Sequence, residues 1–241
     1  MAAARHAKAR IPDDMTRLLV LVEGETEEMF INSVLEPHLR TLGYIRVAAR
    51  LLGNARQRSR RGGIRAWPSA RTDLERHLRQ DREAVVALMV DYYGLPQTGG
   101  RAWPGRAVSA GAAAVEGALR ECIAIRMGGG FDRGRFVPLV MMHEFEAMLF
   151  SDCEAFGNAI ERPDLIPELQ AVRDGFENPE TIDDSPETAP SRRIKALYRG
   201  YEKPLMGALA ALEIGLDRIR AECPHFRSWL ERLEARAAIA P

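Results

Sequence analysis

The sequence predicts an α/β fold, in which a mainly parallel β-sheet is flanked by helices and followed by a C-terminal helical section. Two short runs, residues 17–22 and 84–90, are almost wholly apolar, as expected of parallel strands that are buried on both faces. Segments with helical periodicity alternate with such runs, which is typical of βαβ units. Ligands of these sheets bind beyond the carboxyl ends of the strands, so the residues at those ends are the candidates for a functional site.

The first strand, over residues 17–22, ends at Glu23 and Gly24, where we expect a tight turn. A helix over 26–42 follows, because its apolar residues recur at helical spacing and Gly43 supplies a C-terminal stop. Gly24 is expected to let the backbone bend sharply between the strand and the helix. Glu23 therefore lies at the carboxyl end of the first strand.

The remaining strands and helices of the sheet alternate up to residue 142. We predict, in order, a strand over 44–52, a helix over 70–80, a central strand over 84–90, a helix over 107–126 and a strand over 135–142. Pro138 in the last strand has no N–H to donate to a ladder, so it suits an edge strand or the start of a strand. Asp91 follows the central strand, and His143 and Glu144 follow the last one.

The chain is expected to form one domain with appendages, because 241 residues are enough for one substantial core. We divide it into an N-terminal tail (1–16), the α/β core (17–173), an acidic loop (174–190) and a C-terminal helical section (191–241) packed on the core. The loop is assigned because residues 174–190 hold six acidic side chains and no Lys or Arg. Prolines at 204 and 224 interrupt the helical section.

Composition limits the partners and the compartment. Lys plus Arg and Asp plus Glu both total 34, so the net charge indicates no overall attraction to nucleic acid or to an anionic membrane. The three cysteines form no CxxC pair, which argues against a disulfide framework and a zinc ribbon. The apolar run at 18–22 is too short for a signal peptide or a membrane span. We expect a cytoplasmic protein that does not enter a membrane.

Glu23 and Glu27 are candidate metal ligands. Glu23 follows the first strand and Glu27 lies in the first turn of the next helix, so their carboxylates could meet one cation. Glu27 is at helical spacing from the apolar residues of that helix and should project toward the sheet, where an unpaired carboxylate is costly. The alternative is that Glu25, Glu27 and Glu28 only complement the helix N-terminus.

Asp91, Glu144 and Glu146 are the other carboxylates expected at the ends of the strands, and oxygen ligands of this kind suit Mg²⁺. Asp91 could instead begin a turn, and Glu144 with Glu146 could be an acid pair at a helix start. His143 could be a core residue with its hydrogen bonds satisfied. It does not belong to a HExxH zinc motif, because no second His lies four residues after it.

A local basic patch is concealed by the neutral total. Residues 56–71 hold six arginines and no acid, and such a loop can neutralise phosphates of a nucleic acid. The alternatives are a solvated loop or a surface for an acidic protein. The candidate nucleic-acid contacts, including two arginines further along the chain, are Arg56, Arg58, Arg60, Arg61, Arg65, Arg192 and Arg193. Lys203 is the candidate for steadying negative charge on a scissile phosphate.

These residues give the chain a resemblance to the Toprim superfamily, and more closely to a Toprim-like family catalogued as a domain of unknown function. The stretches that carry the resemblance cover nearly the whole chain. They are VEGETEE at 22–28, DYYGLP at 91–96, HEFEAMLFSD at 143–152, APSRRI at 189–194 and CPHFRSWL at 223–230.

The resemblance implies a nuclease that uses Mg²⁺, with Mn²⁺ as a substitute, held by Glu23, Glu27, Asp91 and Glu144 or Glu146. The substrate class, whether DNA, RNA or tRNA, stays open. It further implies the effector role known from the PARIS anti-phage system, in which a partner ATPase restrains the nuclease. That ATPase would be a separate chain, because no GxxxxGK[ST] motif occurs here.

The chain departs from the Toprim pattern at one position, because the usual DxD pair is replaced by Asp91 and Tyr93. The second acid must then come from Glu144 or Glu146, as in related OLD-type nucleases, which also draw carboxylates from later strands. The rival interpretations are a non-catalytic metal- or partner-binding module that works with an ATPase, and an enzyme that acts on small phosphate esters. A homodimer is as compatible with the sequence as a monomer.

Overall fold

The computed structural model describes residues 16–53, 65–106, 111–182 and 188–237. At its centre lies a four-stranded sheet with strand order β2–β1–β3–β4, and every neighbouring pair is parallel. The strands are β1 (Arg17–Val22), β2 (Arg46–Leu51), β3 (Val85–Asp91) and β4 (Phe136–Met141). The α/β class that the sequence predicts is therefore confirmed.

Helices make the three crossovers between these strands. The connections are α1 (Glu25–Phe30), a π-helical turn (Ile31–Leu35) and α2 (Glu36–Thr41) before β2, α3 (Trp67–Gln80) before β3, and α4 (Gly111–Met127) before β4. Helix α3 begins at Trp67 rather than at residue 70, because Pro68 fits the first turn, where its missing N–H has no helical acceptor to lose.

The core lies on both faces of the sheet. Alternate residues of β3 point to opposite faces, so Ala87 and Met89 pack with α1 while Leu88 and Val90 pack with α3 and α4. Burial of each of the larger side chains, Met89, Leu88 and Val90, contributes roughly 1.5–3 kcal/mol. Two covered faces explain why the strand has an unbroken apolar sequence.

The C-terminal half adds a layer of helices to the α1 face. It begins with a buried 3₁₀ segment, Phe145–Ser151. The helices that follow are α5 (Cys153–Ala159), α6 (Ile166–Asp174), α7 (Pro190–Leu197), α8 (Lys203–Ile214), α9 (Leu216–Glu222) and α10 (Pro224–Ala237). Beyond a possible helix start at Glu146, no element was predicted between 145 and 173; residues 145–151 are buried all round and so have no amphipathic period.

Strand β4 lies at the end of the described sheet, as Pro138 suggests. Its polar groups are covered by side chains from two helices. The backbone N–H of Val140 donates to Glu116 Oε1 at 2.9 Å, and Trp229 Nε1 donates to the carbonyl of Val137 at 3.1 Å. These contacts limit the exposure of an edge that could otherwise pair with another chain. No helix in the described ranges has both the length and the apolar character needed to cross a membrane.

Candidate metal site

The carboxyl ends of three strands meet at one end of the sheet, because β1 pairs with β3 and β3 pairs with β4. Glu23 follows β1, Asp91 closes β3, and the segment that holds Glu144 and Glu146 follows β4. The backbone N–H of Asp91 donates to Glu23 Oε2 at 3.2 Å, which joins the first two ends directly. Parallel pairing thus gathers carboxylates that are far apart in the chain.

Glu27 lies in the first turn of α1 and is 5% exposed, so it points inward while Glu25 in the same turn is exposed. Gly24 makes room for its carboxylate, since a Cβ atom at position 24 would lie 2.8 Å from Glu27 Oε2. The φ of Gly24 is −137°, which any residue adopts. The expectation that this glycine is needed for a sharp bend was therefore wrong; its role is steric.

Glu146 and Glu144 have different surroundings. Glu146 is 1% exposed, and its Oε2 lies 2.9 Å from Lys203 Nζ. Glu144 Oε1 lies 3.9 Å from the same ammonium, and Glu144 Oε2 accepts a hydrogen bond of 2.9 Å from the backbone N–H of Ser191 at the start of α7. Glu146 is thus the interior carboxylate, while Glu144 also anchors a helix.

His143 connects β4 to this acidic segment and has a positive φ of 75°. A non-glycine residue in that region costs of order 1–3 kcal/mol unless its surroundings impose it. Its ring packs against Tyr93, with the centroids 5.2 Å apart. His143 thus links, in a strained conformation, the end of β4 to the segment that holds the two glutamates.

Burial and mutual repulsion disfavour the charged forms of the carboxyl groups. Burial, with help from Glu27 and Glu144, raises the pKa of Glu23 to about 7. Burial raises the pKa of Asp91 well above its usual value, and the charges of Glu23, Glu27 and Glu146 raise it further. The pKa values of Glu27 and Glu146 are raised by burial too, although Lys203 opposes both shifts.

Lys203 supplies the positive charge inside this cluster. Its burial lowers the pKa of the ammonium, but the carboxylates of Glu146 and Glu144 outweigh that effect and raise it. Several acidic groups therefore share one ammonium, and the cluster can accept further positive charge.

Apart from Glu146 Oε2, which faces the Lys203 ammonium, two buried carboxylate oxygens of the cluster have no hydrogen-bond donor within the described parts of the chain. They are Asp91 Oδ1 and Glu146 Oε1. A buried polar atom of this kind is rare and calls for a missing partner such as a water or an ion. An all-oxygen donor set suits Mg²⁺ or Mn²⁺. Among the residues described, no three acidic, His or Cys side chains are placed to hold one ion.

The structure brings together all six residues predicted for the catalytic cluster. The predicted arginines are not gathered into one group in the same way. Arg56, Arg58, Arg60 and Arg61 lie outside the described residues. Arg65 lies against Gly53, Arg193 donates to the carbonyl of Thr188 at 2.8 Å, and Arg192 is exposed on α7.

Ser191 and Tyr201 also contact or border the cluster, and neither was predicted as a site residue. Ser191 contributes a backbone N–H, which any residue but proline provides, so no side-chain signal marks it. Tyr201 precedes Lys203 by two positions, and only the packing of α8 against the acidic segment reveals its place.

A parallel α/β sheet with a lysine-paired acidic cluster at its carboxyl ends defines the class of this protein: a Rossmann-like fold with a candidate cation site at the position where such sheets bind ligands. Residues 22–234 match the family model described as "Domain of unknown function (DUF4276)", and the chain belongs to this family. It matches no curated protein and no solved structure. The family assignment confirms the expected domain of unknown function, while the Toprim resemblance stays a prediction.

Proposed function

We propose that the protein is a Mg²⁺-dependent nuclease of the Toprim type, able to use Mn²⁺, which hydrolyses phosphodiester bonds. One observation carries the proposal: buried carboxylates from the ends of three parallel strands converge around a single ammonium and leave buried oxygens without donors. The ligand set would be Glu23, Glu27, Asp91 and Glu146. A divalent cation held there supplies an activated water and stabilises charge on a phosphate.

The other residues of the site have separate tasks. Glu146 takes the place of the second acid of the DxD pair, because its charge acts on Asp91, whereas Glu144 acts on Glu23 and holds the start of α7. Lys203 is partly exposed and can turn from Glu146 toward a phosphate oxygen.

Helix α7 supports nucleic acid as the substrate class. The helix starts at the acidic cluster, because the Ser191 N–H donates to Glu144. Arg192 and Lys195 are exposed and three positions apart on this helix, so they share a face. Positive side chains leading away from a cluster of carboxylates are suited to hold a phosphate backbone. Such contacts carry no sequence information, so DNA, RNA and tRNA remain alternative substrates.

The cellular setting of this proposal is drawn from the cysteines and from the family resemblance. The cysteines Cys122, Cys153 and Cys223 are all free thiols, which favours the reducing cytoplasm. An anti-phage effector role, restrained by a separate ATPase, is suggested by the resemblance to the PARIS nuclease and by the motifs that carry it.

The test combines purified protein with labelled single- and double-stranded DNA, RNA and tRNA, in Mg²⁺, Mn²⁺ or EDTA. We expect cleavage that EDTA abolishes and that falls at least about 100-fold in Glu23→Gln and Asp91→Asn. Glu25→Gln, an exposed position in the same turn as Glu27, is the matched control and should keep full activity. Full activity in Glu23→Gln would disprove the assignment.

A second candidate function is a non-catalytic module that binds a metal or a partner ATPase. It is favoured by the existing pair between Lys203 and Glu146, which already neutralises the most buried carboxylate. Calorimetric binding of Mg²⁺ without turnover of any nucleic acid would support this candidate over the nuclease.

A further inference from the structure

Tyr201 is a buried tyrosine with no described hydrogen-bond partner for its hydroxyl. It lies between α7 and α8, is 4% exposed, and its Oη accepts from and donates to nothing within the described ranges. Buried hydroxyls normally find a partner, because leaving one unpaired costs its full desolvation. The proposed function gives no role to this group.

The surroundings fix where the hydroxyl lies. The ring packs edge-on against Phe156, with centroids 6.4 Å apart. The Oη atom borders Gly207 of α8, where an added Cβ would lie 2.9 Å from Oη and 3.0 Å from Thr26 Cγ2. Thr26 precedes Glu27 in α1, and the same Cβ would lie 4.0 Å from Phe145 Cε1, next to Glu146, so the hydroxyl lies at the α1–α8 contact and borders the acidic segment.

The acidic cluster is also the charged environment of this hydroxyl. Burial raises the pKa of Tyr201, and the charges of Glu146 and Glu144 raise it further. The group is therefore a neutral phenol, which can donate a hydrogen bond. Glu146 Oε1 is at the same time a buried acceptor without a donor. The donor and the acceptor thus belong to residues that border the same acidic segment, and they do not bond directly.

We propose that Tyr201 is a positioning residue that orients Glu146 through one ordered water, and thereby sets the affinity of the cluster for a divalent cation. A water donates to Glu146 Oε1 while it accepts from the Tyr201 hydroxyl, so it satisfies both groups. Both oxygens of Glu146 are then held, Oε1 by the water and Oε2 by Lys203. This inference rests on the proposed cation site.

Tyr44 provides a matched control for this role. It is also a buried tyrosine, but its hydroxyl donates to the carbonyl of Leu233 at 2.9 Å and lies in the core. Tyr44→Phe should lower the Tm by roughly 2–4 °C and leave cation affinity unchanged. Tyr201→Phe should leave the Tm of the metal-free protein unchanged or slightly higher, because no protein hydrogen bond is lost.

The deciding measurement is calorimetric affinity for Mg²⁺ and Mn²⁺ in the full chain, together with the metal-free Tm. We expect Tyr201→Phe to weaken binding roughly 10-fold, the size of effect typical of residues that orient metal ligands. Unchanged affinity, or a loss of Tm or folding like that of Tyr44→Phe, would overturn the role of Tyr201 alone. Absence of cation binding by the unmodified protein would overturn both the cation site and this inference.

Discussion

At the scale of single residues, Gly24 and Glu27 act as a pair. Glu27 needs a pocket for its carboxylate at the end of β1, and the missing side chain of Gly24 provides it. Because the backbone at Gly24 is extended, the glycine serves the site rather than the turn. A substitution at position 24 is therefore expected to disturb the site without disturbing the fold.

Gly24→Ala should leave the fold intact and disturb the site. The added methyl would meet the carboxylate of Glu27, which is the flexible end of a side chain and can move aside. We expect a change in unfolding free energy below about 1 kcal/mol, because the backbone needs no rearrangement. Mg²⁺ affinity and cleavage should fall together. Wild-type affinity in this variant would show that Glu27 does not bind the cation.

At the scale of elements, the close contact between α8 and α1 brings Lys203 to the acidic cluster. Gly207 lets α8 approach, because a Cβ there would lie 3.0 Å from Thr26 and 2.9 Å from Tyr201. The same helix exposes Leu205, Leu209 and Leu212 on its opposite side. The face of α8 that carries Gly207 is therefore the face that packs against α1.

Gly207→Ala should destabilise the protein by about 1–3 kcal/mol, because the core on this side is already close-packed. The matched control is Gly117→Ala in α4, where an added Cβ has nothing within 4 Å. That change should stabilise by roughly 0.5–1 kcal/mol, since alanine is the better helix former. Denaturant unfolding of both variants tests this contrast, and equal effects would contradict the packing argument.

Glu180 and Glu116 bind the first turn of helix α10. Glu180 accepts hydrogen bonds from the backbone N–H groups of His225 and Phe226 at 2.7 and 2.8 Å. The ring of His225 lies 2.8 Å from Glu116 Oε1, and Arg232 lies 3.7 Å from Glu116 Oε2. The contact with Glu116 raises the pKa of His225 above its usual 6.5.

This arrangement predicts a pH-dependent stability. The raised pKa means that the charged pair stabilises fully below about pH 6.5 and loses its contribution as the pH rises through the folded-state pKa. His225→Gln should therefore cost about 1 kcal/mol at about pH 6 and less at about pH 9. Unfolding free energies of both proteins across this range test the prediction. A difference that does not change with pH would rule out the charged pair.

At the scale of the whole molecule, the sheet and the C-terminal helices share one core. The hydrophobic cluster on the α1 face contains Val20 and Phe30 from the first part of the chain and Phe226 and Trp229 from α10. The two aromatic rings of Phe30 and Phe226 are 5.9 Å apart. The acidic cluster is shared in the same way, because Lys203 comes from α8.

Removal of residues 175–241 should therefore unfold the α/β part as well. The truncated chain would expose the α1-side cluster of the sheet, which the remaining residues cannot cover. We expect the full chain to unfold in one transition and the truncated chain to show none, measured by circular dichroism in urea. A truncated chain with a cooperative transition would indicate a separate sheet domain.

Much of the fold was predictable because local pattern and final packing agree. Apart from one terminal residue each, β1 and β3 are apolar because both of their faces are covered, and the residues that follow the apolar runs were recognised for that reason. Residues 145–151 were recognised as part of a motif, but their 3₁₀ form and complete burial were not predicted, because the helices that cover them are distant in sequence and leave no amphipathic period.

The sequence by itself determined the class of the fold, the strands whose carboxyl ends carry Glu23 and Asp91, and the family of the chain. Each of these depends on an apolar run or a short motif that lies within one segment of the chain. The tertiary structure decided which distant groups complete the site. Glu146 is buried because α7, α8 and α9 pack on its segment, and Lys203 and Tyr201 reach the cluster because α8 packs against α1. Those placements depend on contacts between segments far apart in the chain, and no local pattern encodes such contacts.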